Sequence, residues 1–463
     1  MFSEQRWPAL AAALSRLDVP VVIVDLESTG GNTLSDRITE IAWLRFDNGQ
    51  ISHYEQLVNP QQPISTFITR LTGISDDMVV DAPTFSMLAP ALLKQLQGAL
   101  VVAHNSRFDY TFLKHEFARV GHAFAAPALC TVQLSRKLYP QFFKHNLDSI
   151  IERNGMTVEN RHRAMTDVLV LADFLEKSLA EKCEEEWLNQ SELLMMPKIL
   201  PNWLPETLRQ DLYRLSDRFG VLVWFDDNNQ AIYAAAHEKT FSEVAEQLNK
   251  QNVPMYLRSA SKVEFFPALG RLHATWLKAQ IFEQHRFCLP QGTKTYLTIK
   301  FAADEMGELQ AKVIPLENGI HAVQPKGLFL HKKAAKRAVL AWANEHRLCP
   351  AALDVLPITP PAGEACPVQA SGLCDGECHT VSGKQNQAQK IIDMGHLLPV
   401  TDWGQAHEVE VTETDALSGE KMVFHCVGGA LALQSGYWYF DDTLPALLKS
   451  KFKLGAQVVK VLS

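Results

Sequence analysis

A pair of acidic residues on an apolar strand constrains this chain more than any other feature. The segment PVVIVDLEST (20–29) is a nearly continuous β-branched apolar run, typical of a buried strand, and it carries Asp25 and Glu27. Because side chains alternate along a strand, both carboxylates project from one face. Like charges in a buried environment repel each other and resist ionisation. A divalent cation removes that penalty, since Mg²⁺ prefers hard oxygen ligands.

Strand and helix patterns alternate over residues 1–180. Further strands are predicted at ITEIAWLRFD (38–47), HYEQLVN (53–59) and ALVVAHN (99–105). Helices are predicted at TFSMLAPALLKQLQG (84–98), FDYTFLKHEFARVG (108–121), NLDSIIERNG (146–155) and MTDVLVLADFLEKSLA (165–180). This order favours an α/β domain in which helices cover a sheet.

Two more acids lie where predicted elements begin. Asp109 follows the strand ALVVAHN, and Asp167 lies at the start of the last helix of the domain. Two Mg²⁺ ions would balance these four carboxylates and allow the domain to hold an anionic phosphodiester. His162 precedes Asp167 by five residues and is placed to reach a water beside such cations. Residues 1–190 contain 17 basic and 23 acidic residues, so most of the net charge of −8 lies here.

Three segments together resemble the motifs of the DEDDh exonuclease family, which includes the epsilon proofreading subunit of bacterial replicative DNA polymerase. They are VVIVDLESTGG (21–31), VVAHNSRFDYTFL (101–113) and HRAMTD (162–167). The segment LTGIS (71–75) is similar to a further family segment, and the resemblance covers about residues 19–180. Each motif alone has a structural explanation, such as a strand edge, a helix cap or a solvated loop, but the joint order is specific.

The resemblance implies a ribonuclease H-like fold with a mixed sheet, and 3′→5′ removal of nucleoside monophosphates. It implies that two Mg²⁺ or Mn²⁺ ions are held by four carboxylates, Asp25, Glu27, Asp109 and Asp167. His162 is then the general base, and Asn105 and Phe108 of the second motif are expected nucleic-acid contacts. Single-stranded DNA is the expected substrate, with RNA left open. The alternative to an enzyme is a non-catalytic DNA-binding repair scaffold.

Beyond residue 180 the sequence predicts a linker and then a second domain. The run EKCEEE (181–186) and the prolines of MMPKILPNWLP (195–205) predict a linker over 181–206. Residues 207–290 resemble in outline the GIY-YIG domain of excinuclease C, a component of the excinuclease ABC complex. Leu222 replaces its first tyrosine, Ala235 replaces a glycine, Lys278 replaces its metal-binding glutamate, and the helix HEKTFSEVAEQL (237–248) lacks its arginine. We therefore expect no cleavage here, and DNA binding or a spacer role remains open.

Residues 291–463 are predicted to form an α+β region that ends in a small β element over 400–463. A helix begins in GLFLHKKAAKRAVLAWANEHRLC (327–349), and its basic side chains are candidates for phosphate contacts, although a solvated face is equally compatible. They are Lys332, Lys333, Lys336 and Arg337.

A cysteine cluster follows that helix. Cys349, Cys366, Cys374 and Cys378 have the spacing C-x16-C-x7-C-x3-C, and the last three resemble the cysteine-rich segment that follows the GIY-YIG domain in excinuclease C. That resemblance implies a 4Fe–4S cluster. Zinc, with His379 as a further ligand, and reduced thiols without a metal are the alternatives.

Composition excludes several classes of protein. A net charge of −8 excludes a globally basic nucleic-acid coat, and eight cysteines in 463 residues do not form a small disulfide scaffold. No signal peptide and no transmembrane span is expected, which predicts a cytoplasmic protein without a membrane partner. The expected partners are DNA and proteins of repair or replication, and the oligomeric state is left open.

Overall fold

The computed structural model describes the chain in two compact units. The described residues are 6–159, 161–285, 287, 294–303, 309–351, 353–356, 366–377, 380–401, 403–404 and 406–462. The first unit contains the described residues up to 230 together with 237–265 and 416–419. The second unit contains the described residues of 231–236, 266–415 and 420–462.

A five-stranded mixed sheet forms the centre of the first unit. Its strands are β1 (Val21–Ser28), β2 (Ile38–Asp47), β3 (Gln50–Leu57), β4 (Leu100–Ala103) and β5 (Ala128–Cys130). Their order is β3-β2-β1-β4-β5. Strand β2 is antiparallel to β1 and β3, whereas β4 runs parallel to β1 and β5. The strands predicted in residues 1–105 are therefore confirmed, while the short β5 was not expected from its three-residue pattern.

Helices cover both faces of this sheet. Those of the first unit up to residue 213 are α1 (Pro8–Leu14), α2 (Thr66–Thr72), α3 (Asp76–Val79), α4 (Phe85–Leu96), α5 (Arg107–Arg119), α6 (Thr131–Leu138), α7 (Leu147–Asn154), α8 (Ala164–Glu181), α9 (Glu184–Leu194) and α10 (Glu206–Tyr213). Val21 and Ile23 face a core that includes side chains of α8. Val22 and Val24 face the opposite core, with side chains of α4 and α5. The apolar run of β1 is thus explained by burial on both faces.

The predicted linker over 181–206 is packed rather than free. Helix α9 occupies 184–194, and its Trp187 and Leu188 are buried in the same core as Ile23. Met195 joins that core as well. The charge run and the prolines indicated a linker, but the apolar side chains between them bury enough surface to hold the segment against the domain.

Residues 207–290 contain the strand, turn, strand and helix that the sequence predicts. The elements are β6 (Gly220–Phe225), β7 (Ala231–His237), α11 (Thr240–Leu248), α12 (Met255–Arg258), β8 (Lys262–Pro267) and α13 (Arg271–His285). In the turn, the backbone N–H of Asp226 donates to the carbonyl of Gln230, and Asn229 has a left-handed φ of 59°.

The second unit contains two antiparallel sheets and several helices. One sheet has the order β10-β9-β12, with β9 (Tyr296–Ala303), β10 (Leu309–Leu316) and β12 (Lys326–Phe329). The other has the order β11-β16-β15-β14-β13-β17, with β11 (Gly319–His321), β13 (Glu408–Thr414), β14 (Lys421–Val427), β15 (Ala430–Ala432), β16 (Trp438–Phe440) and β17 (Val459–Val461). The later helices are α14 (Lys332–Glu345), α15 (Pro367–Ala370), α16 (Val381–Met394) and α17 (Leu444–Phe452), with a 3-10 turn at Gly395–Leu397.

Within the described part of the chain, every helix is too short or too polar to traverse a lipid bilayer.

Candidate active site

The carboxylates of Asp25 and Glu27 lie near the carboxyl end of β1. They continue the alternation of Val21 and Ile23, so they lie on the face of β1 that α8 covers. Asp167 belongs to the first turn of α8. The strand period and the packing of one helix therefore direct these three acids to the same place.

Asp109 approaches the same edge of the sheet from β4. It lies in the first turn of α5, which follows β4, and its side chain is buried. Because β1 and β4 are parallel, their carboxyl ends lie at one edge. The backbone N–H of Leu26, between Asp25 and Glu27, donates to the Asp109 carboxylate. Asp109 is thereby attached to β1 beside both other acids.

Three of the predicted residues come close enough to share a cation. Ligand atoms of Glu27, His162 and Asp167 all lie within 4.8 Å of one another. Asp167 is buried, and its Oδ1 has no hydrogen-bond partner among the residues that the structure describes. A buried carboxylate oxygen without a donor needs a cation, and a set of hard oxygen ligands suits Mg²⁺ or Mn²⁺. The residues present therefore fit a divalent metal.

The electrostatics of the cluster also favour a bound cation. Burial, together with the charges of Asp109, Asp167 and Glu27, raises the pKa of Asp25 well above its ordinary value. Burial and the neighbouring acids raise the pKa of Glu27 to about 8. Burial likewise raises the pKa of Asp109 to about 8, although hydrogen bonds from backbone N–H groups oppose that rise. These carboxylates resist ionisation unless a cation joins them.

One arginine already opposes this excess of negative charge. Arg161 forms an ion pair with Asp167 and a second one with Asp148 of α7, whose Oδ1 lies 2.9 Å from Nη2. Its charge lowers the pKa of Asp167, but burial has the larger effect and leaves that pKa raised. The sequence analysis did not identify Arg161. The only local signal was its position, one residue before His162.

Two further residues beside the cluster were also missed. Glu40 of β2 lies directly opposite Glu27 in the β1–β2 register and is fully buried. Arg163, which follows His162, binds its carboxylate through Nε and Nη2. The pair is separated by 123 residues, so no spacing in the sequence could have indicated it.

The predicted nucleic-acid contacts of the first unit have distinct surroundings. Asn105 follows β4 with a left-handed φ of 69°, and its carbonyl accepts from the N–H of Phe108. The Phe108 ring packs on Phe112, with 4.8 Å between ring centroids, and keeps only part of its surface exposed. Asn105 lies in the turn that follows β4, and Phe108 lies in the first turn of α5, one residue before Asp109.

Comparison with known proteins identifies the segment that carries this cluster. The sequence model of a protein family described as "Exonuclease" matches residues 22–175. Residues 22–175 form an exonuclease domain. The matched range contains all four acids and His162, and the mixed sheet covered by helices that the sequence predicts for this domain is confirmed.

Several curated relatives match the exonuclease domain. A DNA polymerase III PolC-type of Caldanaerobacter subterraneus subsp. tengcongensis is 38% identical over 170 residues, which is 36% of this chain and 12% of that protein. The 3′-5′ exonuclease DinG of Bacillus subtilis is 36% identical over 165 residues, which is 34% of this chain and 18% of that protein. The chain thus spans less than a fifth of the length of either relative.

Among solved structures, Exonuclease X in complex with 5′ overhanging duplex DNA is similar to part of this chain. The alignment covers 37% of this chain and 99% of the Exonuclease X chain. Its sequence identity is 25% and its TM-score is 0.30.

In the second unit, the basic residues predicted to contact phosphates lie on the first turns of α14. Lys332, Lys333 and Arg337 are exposed, and Lys336 is partly buried, with Nζ 3.4 Å from the carbonyl of Asp354. The opposite stripe of α14, which includes Val339 and Trp342, is buried. This helix therefore has the predicted amphipathic character.

The cysteine cluster is described only in part. Cys349, Cys366 and Cys374 are buried, whereas Cys378 and His379 lie outside the described residues. Burial raises the pKa of the Cys374 thiol, and the nearby Cys349 and Cys366 raise it further. Cys349 and Cys366 therefore both lie near Cys374.

Lys278, at the position where the GIY-YIG resemblance expects a glutamate, has a structural partner. Its Nζ lies 2.9 Å from Oδ2 of Asp441, and both side chains are largely buried. The Tyr439 hydroxyl donates to the same carboxylate oxygen at 3.0 Å. Neutralised in this way, Asp441 is not available to hold a cation.

Proposed function

We propose that the exonuclease domain is a two-metal-ion 3′→5′ exonuclease that releases nucleoside monophosphates. The observation that carries this proposal is the meeting of Glu27, His162 and Asp167 within 4.8 Å beside the partly buried Asp25 and the buried Asp109. The name of one matching relative, the 3′-5′ exonuclease DinG, supports the direction of hydrolysis.

Each residue of the cluster receives a role in this proposal. Asp25, Glu27, Asp109 and Asp167 hold two divalent cations, Mg²⁺ or Mn²⁺. When bound, such a pair stabilises both the attacking and the leaving oxygen of an in-line displacement. His162 accepts the proton of the attacking water, a role that an imidazole nitrogen can fill.

The proposed substrate is single-stranded DNA, and the proposed context is repair, replication or 3′-end trimming in the cytoplasm. The PolC-type relatives support DNA by name, whereas RNA remains the alternative substrate. Asn105, in the turn after β4, and Phe108, in the first turn of α5, are the proposed contacts of the terminal nucleotide. Discrimination between the two polymers depends on the space around the 2′-hydroxyl.

The decisive experiment compares labelled DNA and RNA strands under identical conditions. With Mn²⁺ or Mg²⁺, a 3′-labelled strand should lose its label as a mononucleotide in the first turnover. A 5′-labelled strand should instead give a descending ladder, and chelation with EDTA should stop both reactions. Intact strands after incubation with either metal would contradict the proposal. Nicking of a closed circular plasmid by the Asp25→Ala variant would indicate an endonuclease with a different site.

For the second unit we propose a role in nucleic-acid binding without cleavage. The exposed Lys332, Lys333 and Arg337 support phosphate contacts, and the Lys278–Asp441 ion pair supports the lack of a nuclease centre. Replacing these three basic residues with glutamine should weaken retention of labelled DNA by the Asp25→Ala protein on a filter. Unchanged retention would leave the helix as a solvated surface.

We further propose that Cys349, Cys366, Cys374 and Cys378 bind a 4Fe–4S cluster or Zn²⁺. The burial of the three described thiols and the nearness of Cys349 and Cys366 to Cys374 support this proposal. Anaerobically purified protein that is brown and absorbs broadly in the visible range would indicate the cluster. Colourless protein with stoichiometric zinc would indicate the alternative, and protein without either metal would reject both.

A further inference from the structure

The carboxylate of Glu40 is held by four hydrogen bonds from one short segment. Arg163 donates from Nε to both carboxylate oxygens at 3.1 Å and from Nη2 to Oε1 at 2.5 Å. The backbone N–H of Ala164 donates to Oε2 at 2.9 Å. Glu40 is 0% exposed, so its charge would be costly without these donors.

These bonds attach the first residues of α8 to strand β2. Arg163 and Ala164 both bind Glu40, and the carbonyl of Arg163 accepts from the N–H of Asp167 at 3.1 Å. The Glu40 carboxylate therefore caps the helix that carries Asp167. The start of that helix is also the end of the segment that contains His162.

The residue on the amino side of His162, Arg161, is also bound to other elements of the fold. Arg161 contacts Asp148 through Nε at 3.0 Å and through Nη2 at 2.9 Å, and it also contacts Asp167. His162 thus lies between two arginines that are bound to different elements of the fold. Its backbone has a left-handed φ of 62°. A non-glycine residue rarely adopts this conformation, which persists only where its surroundings enforce it.

We propose that Glu40 and Arg163 are positioning residues that hold His162 in this conformation, with its ring toward Glu27 and Asp167. The inference rests on the proposed function, because it concerns the residue assigned as the base. This role requires no contact of Glu40 or Arg163 with the substrate or the cations. They act by fixing the backbone on the carboxyl side of His162, while Arg161 fixes it on the amino side.

The test is the double variant Glu40→Gln/Arg163→Met, which removes both charges so that no unpaired charge stays buried. We expect kcat on a single-stranded oligonucleotide to fall at least about 30-fold, less than the ~10²–10⁴-fold contribution of a general base because the imidazole is displaced and not removed. KM should change less than about 3-fold. Mn²⁺ affinity without substrate, followed by the electron paramagnetic resonance of free Mn²⁺, should also change less than about 3-fold, because the carboxylates of Asp25, Glu27 and Asp109 are not moved.

A matched control separates positioning from stability. Arg37 binds the fully buried Glu116 of the same domain with a similar fork, Nε to Oε1 at 2.7 Å and Nη2 to Oε2 at 2.9 Å. The Arg37→Met/Glu116→Gln variant should lower the melting temperature comparably and keep kcat within about 2-fold. The single variant Arg163→Lys retains a charge for Glu40 without the fork, and its kcat should lie between those of the wild type and the double variant.

Two results would overturn the inference. One is a kcat loss in the Glu40→Gln/Arg163→Met protein no larger than in the control. The other is a parallel loss of Mn²⁺ affinity and kcat, which would mean that α8 and Asp167 had moved instead. An inactive wild-type protein would be a failure of the proposed function itself and is recognised before any variant is compared.

Discussion

Glu27 and Glu40 lie directly opposite each other on neighbouring antiparallel strands, yet the protein neutralises them differently. Glu40 receives the guanidinium of Arg163, whereas Glu27 stays among Asp25, Asp109 and Asp167 with its pKa raised to about 8. The Glu40 carboxylate thus stabilises the fold of the domain. The Glu27 carboxylate lies in a cluster whose remaining negative charge an added cation would balance.

Loss of a cluster carboxylate should abolish hydrolysis without unfolding the domain. Asp25→Asn and Asp167→Asn should each lower the rate of mononucleotide release by about 10³-fold or more, since the cations contribute several kcal/mol of transition-state stabilisation. His162→Ala should lower kcat by about 10²–10⁴-fold and leave KM nearly unchanged. Release from a 3′-labelled strand measures both effects.

The control for these variants is Glu152→Gln, which removes an exposed acid from α7. It should release mononucleotides at the wild-type rate. If Asp25→Asn were as active as Glu152→Gln, the cluster would not be the site of hydrolysis.

Stability of the metal-free protein should fall as pH rises. The pKa values of Glu27 and Asp109 are about 8 in the folded protein and near 4 in an unfolded chain, so folding takes up protons between these values. The melting temperature without metal should therefore decrease from about pH 6.5 to about pH 8.5. This window also avoids His104, whose pKa burial lowers to about 4 and which would destabilise the fold only at lower pH.

Added Mn²⁺ should raise the melting temperature more at the upper end of that window, because it binds the ionised carboxylates. At 100 times its dissociation constant, one ion contributes about 2.7 kcal/mol. The Glu27→Gln/Asp109→Asn variant should lose both the pH dependence and the metal response in differential scanning fluorimetry. An equal rise in melting temperature on adding Mn²⁺ at about pH 6.5 and at about pH 8.5 would contradict the assignment of Glu27 and Asp109 to the metal site.

The Lys278–Asp441 ion pair should be structural. Lys278→Met leaves Asp441 buried with an unpaired charge, which should cost about 3–5 kcal/mol in the free energy of unfolding by urea. Lys460→Met, which removes an exposed partner of Glu410, should cost less than about 0.5 kcal/mol. Equal losses would argue against the burial of the first pair.

Nicking of a closed circular plasmid should be absent in the wild type.

Substitution within the cysteine cluster should release its metal selectively. Cys366→Ser and Cys374→Ser should each lower the iron or zinc content measured by atomic emission, since a cluster or a structural zinc needs four ligands. Cys426→Ser is the matched control, because Cys426 is equally buried but lies in β14. It should keep the full metal content. Retention of metal by both cluster variants would place the metal elsewhere.

The sequence by itself determined four of the five strands and the helices α4, α5, α7 and α8 of the exonuclease domain, and which side chains form the acidic cluster. The period of β1 directs Asp25 and Glu27 to one face, and the starts of α5 and α8 carry Asp109 and Asp167. These are local properties, because alternation along a strand and capping at a helix start depend on neighbouring residues alone. For the same reason the strands of residues 1–105 agree with their predicted positions.

Only the tertiary structure decided which charges would meet. The contact of Arg163 with Glu40, the contact of Arg161 with Asp167 and the pairing of Lys278 with Asp441 each join distant or separately folded segments. The predicted linker likewise became helix α9, because Trp187 found a core that its neighbours in sequence could not indicate. Such pairs depend on which elements pack together and on the cost of leaving a charge or an apolar surface without a partner.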